Sequence, residues 1–341
     1  MTLNNNNSSG NISPTTTLKN GVVFPKIING MWQMAGGHGK VNYKNALSDM
    51  IDHVNHGFNC FDMADHYGPA EDIFGELKTQ LKSEESKKHA IGFTKWFPRP
   101  GNMTLENVRT FIHSSLIRTK SNSIDLLQFH WWDYDDERYL NAVQSLKQLQ
   151  SEGLIDSIGL TNFDTTRLKI IVDSGVDIVS SQVSYSIIDR RAKSRMTQYC
   201  RENNIYILAY GVCLGGLLSE KFLGVPEPSQ IALNTWSLSK YKDSINRWGN
   251  WNLFQELLEV LKTIGLKYSV SLTLVAIRYV LQQEMVGGVV IGCRFGIHQH
   301  IDENKRLFTF KLEDSDIKQI DRIALKGDCM LGWVDCGDEY R

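Results

Sequence analysis

Residues 106–163 read ENVRTFIHSSLIRTKSNSIDLLQFHWWDYDDERYLNAVQSLKQLQSEGLIDSIGLTNF. Apolar side chains in 106–120 and 138–153 recur at the three- and four-residue spacing of amphipathic helices, whereas 124–132 and 155–163 are short apolar runs of strand length. The segment reads helix, strand, helix, strand, with short polar joints between them. A helical spacer of this length carries the chain back to a parallel neighbour, so the stretch predicts parallel strands with helices packed outside them.

The same alternation runs outward in both directions. Towards the N-terminus, helical 45–57 and 70–84 alternate with FNCFDMA (58–64) and HAIGFTKWF (89–97). Towards the C-terminus, helical 165–175 and 192–204 alternate with VDIVSSQVSYS (176–186) and IYILAYGV (205–212), and two helical stretches, 253–270 and 272–284, precede a last strand, GGVVIGC (287–293). KIING (26–30) brings the count to about eight strands, which leaves a closed barrel or an open doubly wound sheet as candidates. The chain length and the polar residues at the strand ends favour a (β/α)8 TIM barrel. Asp62, Lys95, His130, Asn162, Gln182 and Tyr210 each close a different unit. An open sheet strings such residues along an edge, whereas a barrel gathers them at one mouth.

Around this core the sequence predicts a disordered tail over 1–17, rich in Asn, Ser and Thr, and a single domain over 18–341. LKNGVVFPKIING (18–30), with its Asn-Gly turn, predicts an N-terminal β-hairpin that plugs or opens the barrel. Residues 224–251, after the seventh strand, carry Trp236, Tyr241, Trp248 and Trp251 without clear periodicity and predict a long functional loop. The tail GDCMLGWVDCGDEYR (327–341), with Trp333 expected to be buried, completes the chain.

Composition narrows the function classes. Of 341 residues, 42% are hydrophobic, enough for a large core, and Lys+Arg 37 against Asp+Glu 38 gives a formal net charge of -1. A balanced charge supplies no general field for nucleic acid or acidic lipid, so an anionic ligand must be held locally. No apolar run approaches the roughly 18 residues that span a bilayer, and no signal core opens the chain; a cytoplasmic protein is expected. The sequons at Asn7, Asn11 and Asn102 then read as chance matches. The six cysteines lack the close pairs of a zinc site, so reduced thiols and no metal are expected.

The strand-end residues suit proton transfer beside a hydride carrier. Tyr67, in the turn after Asp62, is a weak acid with a reference pKa of ~10, which a neighbouring Lys95 ammonium is expected to lower. Asp62 would keep that lysine charged, and His130 would share the proton or bond the substrate oxygen. Thr161, Asn162 and Gln182 suit the carboxamide of a nicotinamide, and Tyr210 suits stacking on its ring. After the last strand, Arg294 and the helix start in HQHIDEN (298–304) form a phosphate place of the kind barrels use. Trp32, Trp131 and Trp132 are aromatic candidates for the substrate side.

FDMADHYGPAEDIFGE (61–76), FTKWF (93–97), LLQFHWW (126–132), GLTNFD (159–164), QVSYS (182–186), LAYGVCLGGLL (208–218) and RFGIHQHIDEN (294–304) together resemble the motifs of the aldo-keto reductase family, over about 18–307. The resemblance implies a catalytic tetrad of Asp62, Tyr67, Lys95 and His130. It also implies an NADPH site made by Thr161, Asn162, Gln182, Tyr210, Arg294, Glu303 and Asn304, without a Rossmann fingerprint. Family pocket aromatics fall on Trp32 and Trp131, and C-terminal tails of the family lie near the active-site mouth. Thr161 stands where the family commonly has Ser, which keeps the hydroxyl. His300 stands where a second Arg is usual, which leaves NADPH favoured and NADH open.

Taken singly, each residue has an ordinary explanation: an Asp or Lys as a turn residue or ion pair, Thr161 and Asn162 as a cap, Tyr210 as core. The ordered joint occurrence carries the reading of an NAD(P)H-dependent oxidoreductase acting on an aldehyde, ketone or alcohol. Two rivals remain: a Schiff-base aldolase using Lys95, and a nucleotide-sensing regulatory subunit of the same fold.

Overall fold

The computed structural model describes residues 13–39, 42–81, 90–99, 101–331 and 334–336. Its first element is a hairpin, β1 (Thr15–Thr17) antiparallel to β2 (Val23–Pro25). The tail expected to be disordered therefore enters the fold three residues early. The polar run ends in three threonines, residues at home in a strand, and Thr16 Oγ1 donates to the Gly287 carbonyl at 2.6 Å. Residues 1–12 lie outside the described residues, and so does Trp333.

Eight parallel strands then close the barrel: β3 (Ile27–Gly30), β4 (Cys60–Asp62), β5 (Ile91–Trp96), β6 (Leu126–His130), β7 (Ile158–Thr161), β8 (Ile178–Ser184), β9 (Tyr206–Tyr210) and β10 (Val286–Gly292), which returns to β3. Register places Lys95 opposite Gln128, His130 opposite Thr161, and Thr161 opposite Gln182. The strand ends are thus laid side by side around one rim.

Helices α1 (Tyr43–Asn55), α2 (Ala70–Gln80), α3 (Leu105–Thr119), α4 (Tyr139–Ser151), α5 (Thr165–Asp173) and α6 (Arg195–Glu202) follow successive strands. Then come α7 (Trp236–Trp248), α8 (Trp251–Tyr268), α9 (Leu272–Leu281), α10 (Ile301–Arg306) and α11 (Asp314–Ala324). Thr104, Asp164, Thr235, Asn250 and Ser271 each accept a backbone N–H at a helix start. Each such cap contributes about 1 kcal/mol and fixes where the chain leaves the rim.

Nearly half of the expected loop 224–251 is therefore the helix α7. Tyr241, Ile245 and Trp248 form its buried face at four- and three-residue spacing, but the exposed Trp236 and the buried Trp251, which begins α8 after the Asn250 cap, obscure that period in the sequence. Trp248 donates from Nε1 to the Ala324 carbonyl, and Gly327 passes so close that a β-carbon there would stand 2.3 Å from that nitrogen.

Inside the barrel, Phe24, Ile28, Cys60, Phe93, Leu126, Val179, Leu208 and Val290 pack together. Phe24 of the hairpin meets Phe93 edge-on at 5.2 Å, so the N-terminal end is closed by apolar surface. Polar interior side chains gather towards the opposite end. Of the C-terminal tail, Val334, Asp335 and Cys336 are buried, and Asp335 accepts the Thr165 N–H at the start of α5. No single helix among the described residues is long and apolar enough to cross a membrane.

Candidate active site

A cavity of about 1000 Å³ opens at the C-terminal ends of the strands. Strand alternation decides which residues reach it, because successive side chains point to opposite faces. On β6 and its extension, Gln128 and His130 turn into the barrel, Phe129 and Trp131 turn out into the helix layer, and Trp132 turns back to the cavity. Trp131, expected in the pocket, is instead fully buried core, with its Nε1 donating to the Asp136 carbonyl. Its neighbour Trp132 lines the cavity beside Phe97 and His130.

Asp62 and Lys95 are buried at the cavity floor and bonded directly to each other. The Lys95 ammonium also donates to the Met63 carbonyl at 3.2 Å. Asp62 Oδ1 accepts from Gln128 Nε2 at 2.8 Å and from Gln182 Nε2 at 2.7 Å, so three donors meet one carboxylate. Lys95 Nζ lies 5.0 Å from the centroid of the Tyr67 ring, and Tyr67 lines the same cavity. His130 stacks on Phe97 with ring centroids 4.5 Å apart. The four tetrad candidates therefore border one space.

The electrostatics differ from the expected pattern. Burial, and then the Asp62 and Asp65 carboxylates, push the Tyr67 phenol well above its ordinary value rather than below it. Burial also lowers the Lys95 ammonium, with Asp62 acting in the opposite direction. Burial dominates, and because Asp62 is bonded to Lys95 the phenol faces a paired lysine and a carboxylate, not a lone cation.

Thr161, Asn162, Gln182 and Tyr210 also line the cavity. The Thr161 hydroxyl is buried with no hydrogen-bond partner among the described residues. Asn162 has a left-handed backbone (φ 58°), its Oδ1 accepts from the Tyr210 hydroxyl at 2.9 Å, and its carbonyl accepts from Tyr134. Asparagine tolerates that conformation better than most residues do, and two tyrosines fix it there.

At the far end stand Arg294, His298, His300, Glu303 and Asn304. Arg294 donates to the His38 carbonyl at 3.0 Å. Glu303 accepts from Ser271 at 2.6 Å and pairs with His300 at 3.1 Å, and His300 holds its carboxyl below the usual range. The short helix α10 begins with Asp302 and Glu303 in its first turn, so the helix start expected to hold phosphate carries two carboxylates, and the cation at this end is the Arg294 side chain.

Sequence reasoning missed several residues in and beneath the cavity, among them Phe97, Lys240 and His38 in its lining and Gln128 under its floor. Gln128 and Phe97 lie two positions from His130 and Lys95, so strand period alone marks them. Lys240 of α7 places its ammonium 5.2 Å from the Trp32 ring and 5.4 Å from the Tyr210 ring. His38 bonds Gly36 O through Nδ1 and meets Ser237 through Nε2, while Trp236 N–H donates to Gly37 O. These contacts bring the loop after β3 against the start of α7. Gly37 has φ 69°, and a β-carbon there would strike the Trp236 ring at 2.2 Å.

The family model "Aldo/keto reductase family" matches residues 26–325. Flagellar radial spoke protein 5 of Chlamydomonas reinhardtii is 32% identical over 174 residues, 46% of this chain and 33% of that protein, so the chain spans about a third of that relative. The NADH-specific methylglyoxal reductase of Escherichia coli (strain K12) is 22% identical over 312 residues, covering 84% of this chain and 90% of that one. Among solved structures, the glycerol dehydrogenase from Gluconobacter oxydans superposes with a TM-score of 0.78 at 20% identity, covering 93% of this chain and 97% of that one. A thermostable aldo-keto reductase in complex with the inhibitor epalrestat gives 0.70 at 19% identity, covering 91% and 99%. At those identities the structural likeness is one of fold.

Proposed function

The chain belongs to the aldo/keto reductase family, and from that premise we propose that it reduces an aldehyde or ketone to an alcohol, or runs the reverse, with a nicotinamide dinucleotide. The observation that carries this reading is the meeting of Asp62, Tyr67, Lys95 and His130 on a cavity that also holds the buried Thr161 hydroxyl, which has no partner among the described residues. That hydroxyl, with the Asn162 and Gln182 amides, fits a carboxamide, and the Tyr210 ring beside them fits a pyridine face. When bound, the reduced nicotinamide supplies the hydride.

Tyr67 is the general acid. Burial keeps its phenol protonated at neutral pH, and its proton passes to the substrate oxygen as that oxygen takes the electron pair of the C=O π bond. Lys95, held by Asp62 and Met63 O, stabilises the phenolate left behind. His130, fixed by its stacking on Phe97, hydrogen-bonds the substrate oxygen. Trp32 and Trp132 border the substrate space.

NADPH is the proposed cofactor, with NADH a working second. Arg294 supplies the positive charge at the proposed adenosine end, His298 and His300 line it as hydrogen-bonding groups, and Glu303 and Asn304 are placed to face adenine. A lysine tied to both Asp62 and a backbone carbonyl is poorly presented as a nucleophile, which counts against the aldolase reading. The likeness to flagellar radial spoke protein 5 supports a second reading, a nucleotide-binding subunit of a larger assembly.

One panel separates them: aldehydes, sugars and ketones with NADPH and with NADH, followed by the near-ultraviolet absorbance of the reduced ring. Turnover is expected, and Tyr67→Phe should lower it by about 10²–10⁴-fold while leaving cofactor affinity nearly unchanged. Tight binding with no turnover on any substrate favours the assembly reading. Undiminished turnover in Tyr67→Phe removes Tyr67 as the acid.

A further inference from the structure

Gln128 was given no role by the sequence, yet it is fully buried on β6, directly beneath the cavity floor and in contact with Asp62 and Gln182, which line it. A carboxylate can only accept, so each glutamine atom within hydrogen-bond distance of Asp62 Oδ1 must be an amide nitrogen. That assigns Nε2 of both Gln128 and Gln182 towards Asp62. The remaining contact, Gln182 Nε2 to Gln128 Oε1 at 2.7 Å, is then a donor meeting an acceptor, and the network is consistent without turning either amide.

The consequence falls on Gln182. Its two amide hydrogens are committed, one to Asp62 and one to Gln128, so its side chain has only Oε1 left to offer the cavity. Gln182 therefore presents an acceptor, which suits the NH₂ of a carboxamide and not its oxygen. Asp62 uses its other oxygen, Oδ2, on Lys95. Lys95, whose ammonium lies 5.0 Å from the Tyr67 ring, and the place for the carboxamide are two ends of one buried network.

We propose that Gln128 is a positioning residue: by donating to Asp62 and accepting from Gln182, it locks the Asp62–Lys95 pair and the Gln182 acceptor into one arrangement, coupling proton transfer to recognition of the cofactor's carboxamide. This rests on the reading of the site as a nicotinamide pocket. Without Gln128, Asp62 keeps fewer donors and one Gln182 hydrogen loses its partner, so both ends loosen together. A buried polar group left unpaired costs more than the bond it made.

The test compares NADPH with its 3-acetylpyridine analogue, which lacks the NH₂, by quenching of intrinsic fluorescence, with turnover read separately. The wild type should bind the carboxamide form about tenfold more tightly, the worth of one hydrogen bond. Gln128→Leu should shrink that preference to about twofold or less and lower kcat by about tenfold, whereas Tyr67→Phe lowers kcat alone. Gln128→Glu supplies the rescue: when its carboxyl is protonated it can donate to Asp62 and accept from Gln182, so the preference should return as pH falls. The leucine variant should show no such return. A Gln128→Leu enzyme that weakens both cofactors equally, or neither, overturns the inference while leaving the site's identity intact. A wild type that binds neither dinucleotide overturns the nicotinamide pocket itself and this inference with it.

Discussion

The cavity has two ends built in opposite ways. At the floor, Asp62, Lys95, Gln128 and Gln182 are buried and spend their polar atoms on one another. At the far end, Arg294, His298 and His300 are exposed, and their partners include a backbone carbonyl and a half-buried glutamate. Charge interactions in a buried site are several times stronger than in water, where salt screens them further. Changes at the floor should therefore damage stability and chemistry together, while changes at the far end should retune affinity and leave the fold alone.

The largest effect that can break this contrast is expected at Lys95. Lys95→Met leaves the Asp62 carboxylate buried without its cation, and removing one partner of such a pair typically costs about 3–5 kcal/mol. Turnover should fall by about 10²-fold or more. In Lys95→Met/Asp62→Asn the uncompensated charge is gone, so denaturant unfolding should recover most of the lost stability while turnover stays low. Restored turnover in the double variant would show that the pair is structural only.

The same contrast explains what the sequence disclosed. Alternating helices and strands, each with its own period, announced the barrel, and residues ending strands were legible because register turns chain position into place on a rim. Asp62, Lys95 and His130 were found that way, with Tyr67 in the adjoining turn. Gln128 was within reach of the same logic, since it shares a strand face with His130, but an amide in an apolar run has no chemistry of its own until its partners are known. Trp131 failed by one residue, and in a strand one residue is the other face. The Tyr67 shift was misjudged because burial dominates it, with the Asp62 and Asp65 carboxylates acting the same way, and the burial of a turn residue is a matter of three-dimensional packing. The contact of His38 with Ser237 joins positions 199 residues apart, one in the loop after β3 and one at the start of α7, and no periodicity in the sequence announces it.

At the exposed end the expected effects are smaller and confined to binding. His300→Arg places a permanent cation where His300 now pairs with Glu303. The ratio of NADH to NADPH dissociation constants should rise by about tenfold in favour of NADPH, with the thermal midpoint almost unmoved. Arg294→Ala is a less clean probe, because Arg294 also holds the His38 carbonyl. A loss of stability in His300→Arg comparable to that of Lys95→Met would remove the distinction between the two ends.

The smallest effect concerns the strap formed by His38 and Ser237. The Gly36 carbonyl can only accept, so His38 Nδ1 carries the proton, and Nε2 accepts from Ser237, whose backbone N–H lies 3.3 Å away. A protonated ring cannot accept there. Burial, reinforced by Arg294, lowers the imidazole from 6.5, with the Gly36 hydrogen bond opposing them. The unfolded chain therefore binds this proton more readily than the folded one, and the contact's stabilisation is present above about pH 6.5 and declines as pH falls below it. Thermal unfolding is a poor readout, because burial lowers His53 as well. Cofactor release is better, since His38 and Ser237 both line the cavity and His53 packs against Phe295 elsewhere. Release measured by stopped-flow fluorescence should quicken about threefold to fivefold for wild type between about pH 7.5 and 5.5, the worth of one weakened hydrogen bond. His38→Ala should release as quickly at the higher pH as wild type does at the lower one. Equal acid acceleration in both proteins would place the titrating group elsewhere and leave the strap without a part in holding the cofactor.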